Sequence, residues 1–305
     1  MTETLTLPAL HVGRGYRYDN LTWFPVWTDA PVGPRCYTTE ADALEIGELD
    51  SESVPELRAR NRSDRPVVVF EGSVLEGGFQ TRTLTRTSFV PAASEANLPV
   101  LCVEANRWGG NTRAHRLGTM MAPSRVRSAA RGIHRAPTRS PHNSRQGQVW
   151  NQVTGYQERH GAHSSTRSLA EIDQQVRGRS AEATKLPEVT ALAGQRGVVI
   201  AALGQPMVLE LFDHPDTLAE RLGALLESVR LDVHGLGFVE TPSRRARRFA
   251  DRAVQAGLVE GSRDQTIRSY QAPANNYVAT DAVGIDTDLL HLSCLNPRHE
   301  LVLAA

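Results

Sequence analysis

VVVFEGSVLEGGFQTRTLTRTSFVPAASEANLPVLCVEANRW, residues 67–108, places charged side chains inside runs that otherwise read as buried β-strand. A carboxylate or guanidinium among apolar strands costs several kcal/mol in desolvation unless it is paired. Glu71, Arg82, Glu104 and Arg107 therefore require either a structural ion network or a site. Residues 67–71 form a continuous apolar strand. Residues 82–90, RTLTRTSFV, alternate at period two and predict a half-exposed strand. Residues 98–104 are apolar on both faces until Glu104, which ends the strand where a polar loop begins. Gly72, Gly77 and Gly78 punctuate a turn in which a missing Cβ permits positive φ or the close approach of another backbone or ligand.

On the N-terminal side, residues 21–27 read as an aromatic strand. Pro25 lacks a ladder donor and so predicts an edge position. Thr39 and Asp42 form a capping box for a short helix, followed by a strand over 46–49. Residues 56–60 and 67–71, separated by turn chemistry over 61–66, read as a hairpin. On the C-terminal side, arginines are frequent and no acid occurs from Gly109 until Glu158. A helix over 146–160, capped by Asn143 or Ser144, and a second capping box at Ser168–Glu171 interrupt this polar segment. The last third resumes folded character. Strands over 197–203 and 208–212 flank Gly204–Gln205–Pro206, helices begin at Thr217 and Pro242, and a final strand covers 289–295. The expected architecture is α+β: a mixed or antiparallel β core over 1–110, an Arg-rich helical polar insert over 111–185, and a smaller C-terminal α/β part over 186–305 that packs on the core.

Composition narrows the function classes. Acidic and basic residues balance at 34 each, so no global field favours nucleic acid. Three well-separated cysteines, Cys36, Cys102 and Cys294, argue against a disulfide framework or zinc knuckle. With no signal-peptide pattern and no apolar run near the ~20 residues needed to span a bilayer, a cytoplasmic, membrane-free protein is expected. Walker, nucleophile-elbow, zincin and C-x-x-C patterns are absent. His160 and His163 have ligand-like spacing, but no nearby carboxylate supports them, and no metal or cofactor is expected. Cys102 in an apolar strand reads as a small core residue. Trp108 and Trp150 could stack on a base or sugar, or pack over a domain edge. Every basic residue except Lys185 is arginine. Arg244, Arg245, Arg247 and Arg248 read as a solvated helix face in preference to a nucleic-acid patch.

The succession SVPELRARN, VVVFEGSVLEGGFQTRTL, LPVLCVEANRW and SRQGQVW resembles the bacterial domain family named for its association with ADP-ribosylglycohydrolases and rhodanese-phosphatase-superfamily proteins. The family carries a Gly-Ala-Lys-Gln-Asn-Arg run where this chain has Gly77, Gly78, Phe79, Gln80, Thr81 and Arg82. Gly77, Gln80 and Arg82 match, while the lysine and asparagine do not, which weakens any mechanism needing a lysine there. Cys102, Val103, Glu104, Arg107 and Trp108 match as well. The resemblance implies a context in ADP-ribose or NAD-related metabolism, or in a bacterial conflict system, without an assigned reaction.

The expected function is binding of a phosphate-containing small molecule such as ADP-ribose or a related nucleotide. Arg82 and Arg107 would hold phosphates, the Gly72–Gly78 turn would admit the ligand, and Trp108 would pack on it, with Gly77, Gln80, Gln146 and Trp150 completing the site. One alternative is a hydrolase or transferase on the same ligand class with Glu71 or Glu104 as general base. Another is a structural or interaction protein with a buried ion network. A carboxylate with a strongly raised pKa in a closed pocket would favour the enzyme, and full ion pairing would favour binding or structure. Gln80, Arg82, Glu104 and Arg107 should converge, Gln146 and Trp150 should line the same cleft, and Glu104→Gln should leave the fold nearly intact. A small molecule is the expected partner, nucleic acid is not, and the oligomeric state stays open.

Overall fold

The computed structural model describes residues 4–50, 55–107, 109–110, 112–133, 144–179, 189–263, 266–273, 275–285 and 288–303. The fold is α+β with antiparallel sheets. It divides into two compact units, Cys36–Lys185 and the combination of Met1–Arg35 with Leu186–Leu303.

The unit of residues 36–185 is built on a closed six-stranded barrel. Around it run Glu95–Cys102, Glu56–Asn61, Leu44–Gly47, Ala114–Met121, Ser73–Gly77 and Arg82–Leu84, which pairs back to Glu95–Cys102. Successive side chains on a strand point to opposite faces. Leu44, Ile46, Leu57, Ala59, Leu75, Leu84, Leu98 and Val100 thus share one buried core. The expected hairpin between 56–60 and 67–71 does not form. Glu56–Asn61 lies between two barrel strands, and Val67–Val69 pairs with Ser88–Val90 in a separate two-stranded sheet. Asn61 accounts for this, because its Nδ2 donates to the carbonyls of Arg65, Val90 and Pro91 at 2.7, 3.2 and 3.0 Å. Those bonds turn the chain out of the barrel instead of back along it. The run over 82–90 accordingly splits into two short strands, Arg82–Leu84 and Ser88–Val90, and both are largely buried. Ala114–Met121, inside the segment expected to be helical and polar, is a barrel strand.

Among the described residues, α-helices Ser124–Arg131, Arg145–Arg159 and Leu169–Arg179 belong to this unit. Ser144 caps the second by accepting from the Gly147 N–H at 3.1 Å.

The other unit is a ten-stranded antiparallel sheet covered by helices. Leu21–Thr28 is not an edge: it pairs with Gly197–Ala202 on one side and with Leu10–Val12 and Tyr16–Tyr18 on the other. The Pro25 carbonyl accepts from the Gly13 N–H at 2.9 Å, which puts the Pro25 nitrogen on the same side, facing the break between those two short strands. The missing donor therefore meets an interrupted ladder. Helix Ser243–Val254 buries Ala246, Phe249, Ala250 and Ala253, at the helical i, i+3, i+4, i+7 spacing, against Phe24, Val26, Leu209 and Leu211.

Candidate functional site

On four barrel strands the inward-facing register runs from apolar to polar toward the same end. Leu44 and Ile46 lead to Glu48, Leu84 to Arg82 and Gln80, Leu98 and Val100 to Cys102 and Glu104, and Leu117 to His115. Pairing sets Cys102 opposite Arg82, and His115 opposite Ile46, two residues before Glu48. The six polar residues are all buried, Arg82 completely so.

Their hydrogen bonds form one network. Arg82 Nη1 donates to Gln80 Oε1 at 3.1 Å and contacts Cys102 Sγ, while the Cys102 thiol donates to the same Gln80 oxygen at 3.1 Å. Glu48 stands 3.7 Å from Arg82 Nη2, 3.0 Å from His115 Nε2, and accepts from the Phe79 N–H at 3.1 Å. Gln80 Nε2 donates to the Glu104 carbonyl at 2.9 Å. The Glu104 carboxylate accepts from the Thr81 N–H and hydroxyl at 3.0 and 3.1 Å and takes a two-pronged pair from Arg107 at 2.9 and 2.8 Å. The remaining Arg107 donors reach the carbonyls of Gly78 and Gly77 at 2.8 and 3.3 Å. Gln80, Arg82, Glu104 and Arg107 thus come together, and the Arg107 side chain, 31% exposed against 4% for Glu104, forms the outer layer.

The two glycines meet different needs. Gly77, at φ +102°, would place a Cβ 2.8 Å from the Ala114 carbonyl, and at Gly78, φ +51°, a Cβ would overlap the His115 ring. The backbone there passes directly over the imidazole, so the pair shapes the barrel end.

Gln146 lies at the start of helix Arg145–Arg159. Its side-chain amide accepts from the Cys102 N–H at 2.9 Å and donates to the Cys102 carbonyl at 2.8 Å, completing the edge of the strand as a neighbouring peptide would. Trp150, one turn later, is half-buried, and its indole Nε1 is shielded from solvent. Trp108 lies outside the described residues.

Glu71 belongs to a different network. Arg127 and Arg131, on helix Ser124–Arg131, both close on its carboxylate, Arg127 Nε at 3.0 Å and Arg131 Nη2 at 2.9 Å, and all three side chains are buried. Gly72, at φ +83°, leaves room for Arg127, whose Cδ would lie 3.1 Å from a Cβ there. A carboxylate shared by two guanidiniums is a poor general base, because protonating it would leave both cations without their common counter-charge.

Burial pushes the Cys102 thiol up to about 11 despite the opposing Arg82 charge, so it remains a thiol at neutral pH. Burial also acts to raise Glu104, but hydrogen bonds from Arg107 and the Thr81 backbone outweigh it and hold the carboxyl below its usual range. His115 is lowered by burial against the pull of Glu48. Cys36 is exposed, whereas Cys102 and Cys294 are buried. A thiol-specific reagent should therefore titrate one cysteine in the native protein and three in denaturant. Rapid native labelling of Cys102, located by peptide mapping, would mean that the Arg82–Cys102 contact is open to solvent.

Glu48, His115, Arg127 and Arg131 did not emerge from the sequence motifs. For Glu48 and His115 the available signal was the inward register itself, a polar residue continuing an i, i+2 apolar series. For Arg127 and Arg131 only their i, i+4 spacing on a helix marked them.

Among the described residues, no group of three or more His, Cys, Asp or Glu is placed to hold a metal ion, and no helix is long and apolar enough to cross a membrane. In comparison with known proteins, the family model described as ARG and Rhodanese-Phosphatase-superfamily-associated Protein domain matches residues 9–295. No curated protein and no solved structure matches the chain.

Proposed function

The chain belongs to the ARG and Rhodanese-Phosphatase-superfamily-associated Protein domain family, and from that premise we propose that the polar barrel end is a binding site for a phosphate-containing small molecule of the ADP-ribose class. The family name links it to ADP-ribosylglycohydrolase neighbours, which suggests the ligand class. Full pairing of the carboxylates carries the choice of binding over catalysis. Glu104 is held below its usual carboxyl range by Arg107 and Thr81, and the Glu71 carboxylate is shared by two arginines, so both already serve as counter-ions. The Glu104–Arg107 pair braces the loop that leads through Gly109 and Gly110 to the exposed Arg113. The Arg113 guanidinium lies 5.7 Å from the Phe79 ring centroid. On this reading Arg113 meets the phosphates from the solvent side with the paired Arg107 behind it, and Arg82, deeper in the barrel, fixes Gln80 beneath them.

Calorimetric titration with ADP-ribose tests the reading, with AMP and inorganic phosphate alongside. The expected result is saturable ADP-ribose binding that weakens at least tenfold in Arg113→Gln while the thermal midpoint holds. An absence of heat, or turnover of the ligand, would overturn it. Saturation of the Arg107 donors favours a second reading, in which the network only locks the barrel end. In that case ADP-ribose leaves the thermal midpoint of the parent protein unchanged.

A further inference from the structure

Independently of the barrel site, we infer that the outer face of helix Ser243–Val254, extended by Tyr277 and Arg298, is a docking surface for the phosphate backbone of nucleic acid. The sequence alone assigns this face to solvent, and three structural observations assign it to an anion.

First, the helix exposes Arg244, Arg245, Arg247, Arg248 and Arg252 against a single acid, Asp251. Arg244, Arg248 and Arg252 follow one another at i, i+4 and i+8, where like charges repel. Several exposed arginines elsewhere take carboxylate partners, as Arg60 does with Glu95, Arg62 with Glu45 and Arg116 with Glu76, and those that do not, such as Arg14, Arg113 and Arg145, do not follow one another at helical spacing. None of Arg244, Arg248, Arg252 and Arg298 has a carboxylate partner among the described residues.

Second, the charges sit at the wrong end of the helix for its own stability. Four of the five arginines fall in its first half, the first turn carries no acid, and Pro242 supplies no side-chain cap. The partial positive charge of a helix N-terminus disfavours cations and favours anions.

Third, two guanidiniums converge on one ring. The Arg252 and Arg298 carbons lie 4.3 and 4.4 Å from the centroid of Tyr277, which remains 44% exposed. The ring quadrupole attracts each cation, but bringing two together concentrates positive charge beside solvent.

Each arrangement costs the free protein stability, and a row of phosphates offsets all three. Guanidinium forks at one-turn intervals suit a regularly spaced chain of phosphates better than an acidic peptide, since each fork can take a phosphate in bidentate fashion. The contacts are to phosphate, so binding should be independent of sequence.

The test uses the full-length protein and a fluorescent 20-nucleotide single strand of mixed sequence, its duplex, a polyglutamate peptide and anionic lipid vesicles. Anisotropy should show binding to nucleic acid, and the single-strand affinity should fall with salt at a log–log slope of about −3, from four phosphate contacts at ~0.7 each. The Arg244→Gln/Arg248→Gln/Arg252→Gln variant should bind at least tenfold more weakly, with a slope reduced to about −1. Its thermal midpoint should be unchanged or higher, because repulsion has been removed. Unaltered affinity and slope in the variant would overturn the proposal. So would binding to polyglutamate or vesicles at least as tight as binding to the oligonucleotide at matched charge.

Discussion

Glu71→Gln is expected to destabilise the barrel unit by about 3–5 kcal/mol. Glu71 is the shared counter-ion of Arg127 and Arg131, and the amide cannot replace its charge. The cost comes less from lost attraction than from two buried guanidiniums deprived of the carboxylate that offset their desolvation. The same physics predicts the rescue. Replacing the triad by apolar groups, Glu71→Leu with Arg127→Met and Arg131→Leu, should recover most of the loss, since it removes the charges along with the pair. Denaturant unfolding of the single and triple variants measures both quantities. A single-variant loss below about 1 kcal/mol would mean that solvent reaches the triad and screens it.

Part of this was legible in the sequence. Gln80, Arg82, Glu104 and Arg107 come together because they flank strands that are close in sequence and share one barrel face, and local alternation is enough to show that. Ser168 starts helix Leu169–Arg179 as expected by accepting from the Glu171 N–H, because capping is a local interaction. The expected box is not closed, since the Ser164 hydroxyl accepts from the Ser168 N–H and donates to the Glu171 carboxylate. The hairpin expected across 61–66 failed for a reason no period reveals: Asn61 bonds to carbonyls of Val90 and Pro91, about thirty residues away. The partners of Glu71 lie 56 and 60 residues downstream, on a helix whose only local signal is an arginine-rich face. The interior position of Leu21–Thr28 depends on Gly197–Ala202, and its proline pointed the wrong way until the break opposite it was visible. Such long-range pairings are set by total burial, which local pattern does not encode.

Glu104→Gln is the second large effect, and the structure reverses the expectation drawn from sequence. A carboxylate open to a cleft would tolerate the amide, but this one is 3% exposed, paired with Arg107, and accepts from the Thr81 N–H and hydroxyl. The amide would keep one acceptor and place an NH2 against a donor. The loss at pH 7 should be about 3 kcal/mol, lowering the thermal midpoint by roughly 10 °C. The pH dependence separates charge from packing. The folded protein holds Glu104 below its usual 4.5, so its contribution is complete above that value and is lost as the pH falls through the lowered one. His115 is also lowered, below its usual 6.5, so burying it neutral stabilises above 6.5 and ceases to do so as the pH falls. Acid should therefore destabilise the parent in two stages, His115 first and Glu104 second. Glu104→Gln should show only the first, and the gap between the two midpoints should be constant from pH 5 to pH 8 and narrow progressively as the pH falls below the usual 4.5. Equal midpoints at pH 7 would return Glu104 to the role of an unpaired site carboxylate. A gap that does not narrow at any pH below 4.5 would make the loss one of packing, since a protonated Glu104 has no charge left to lose.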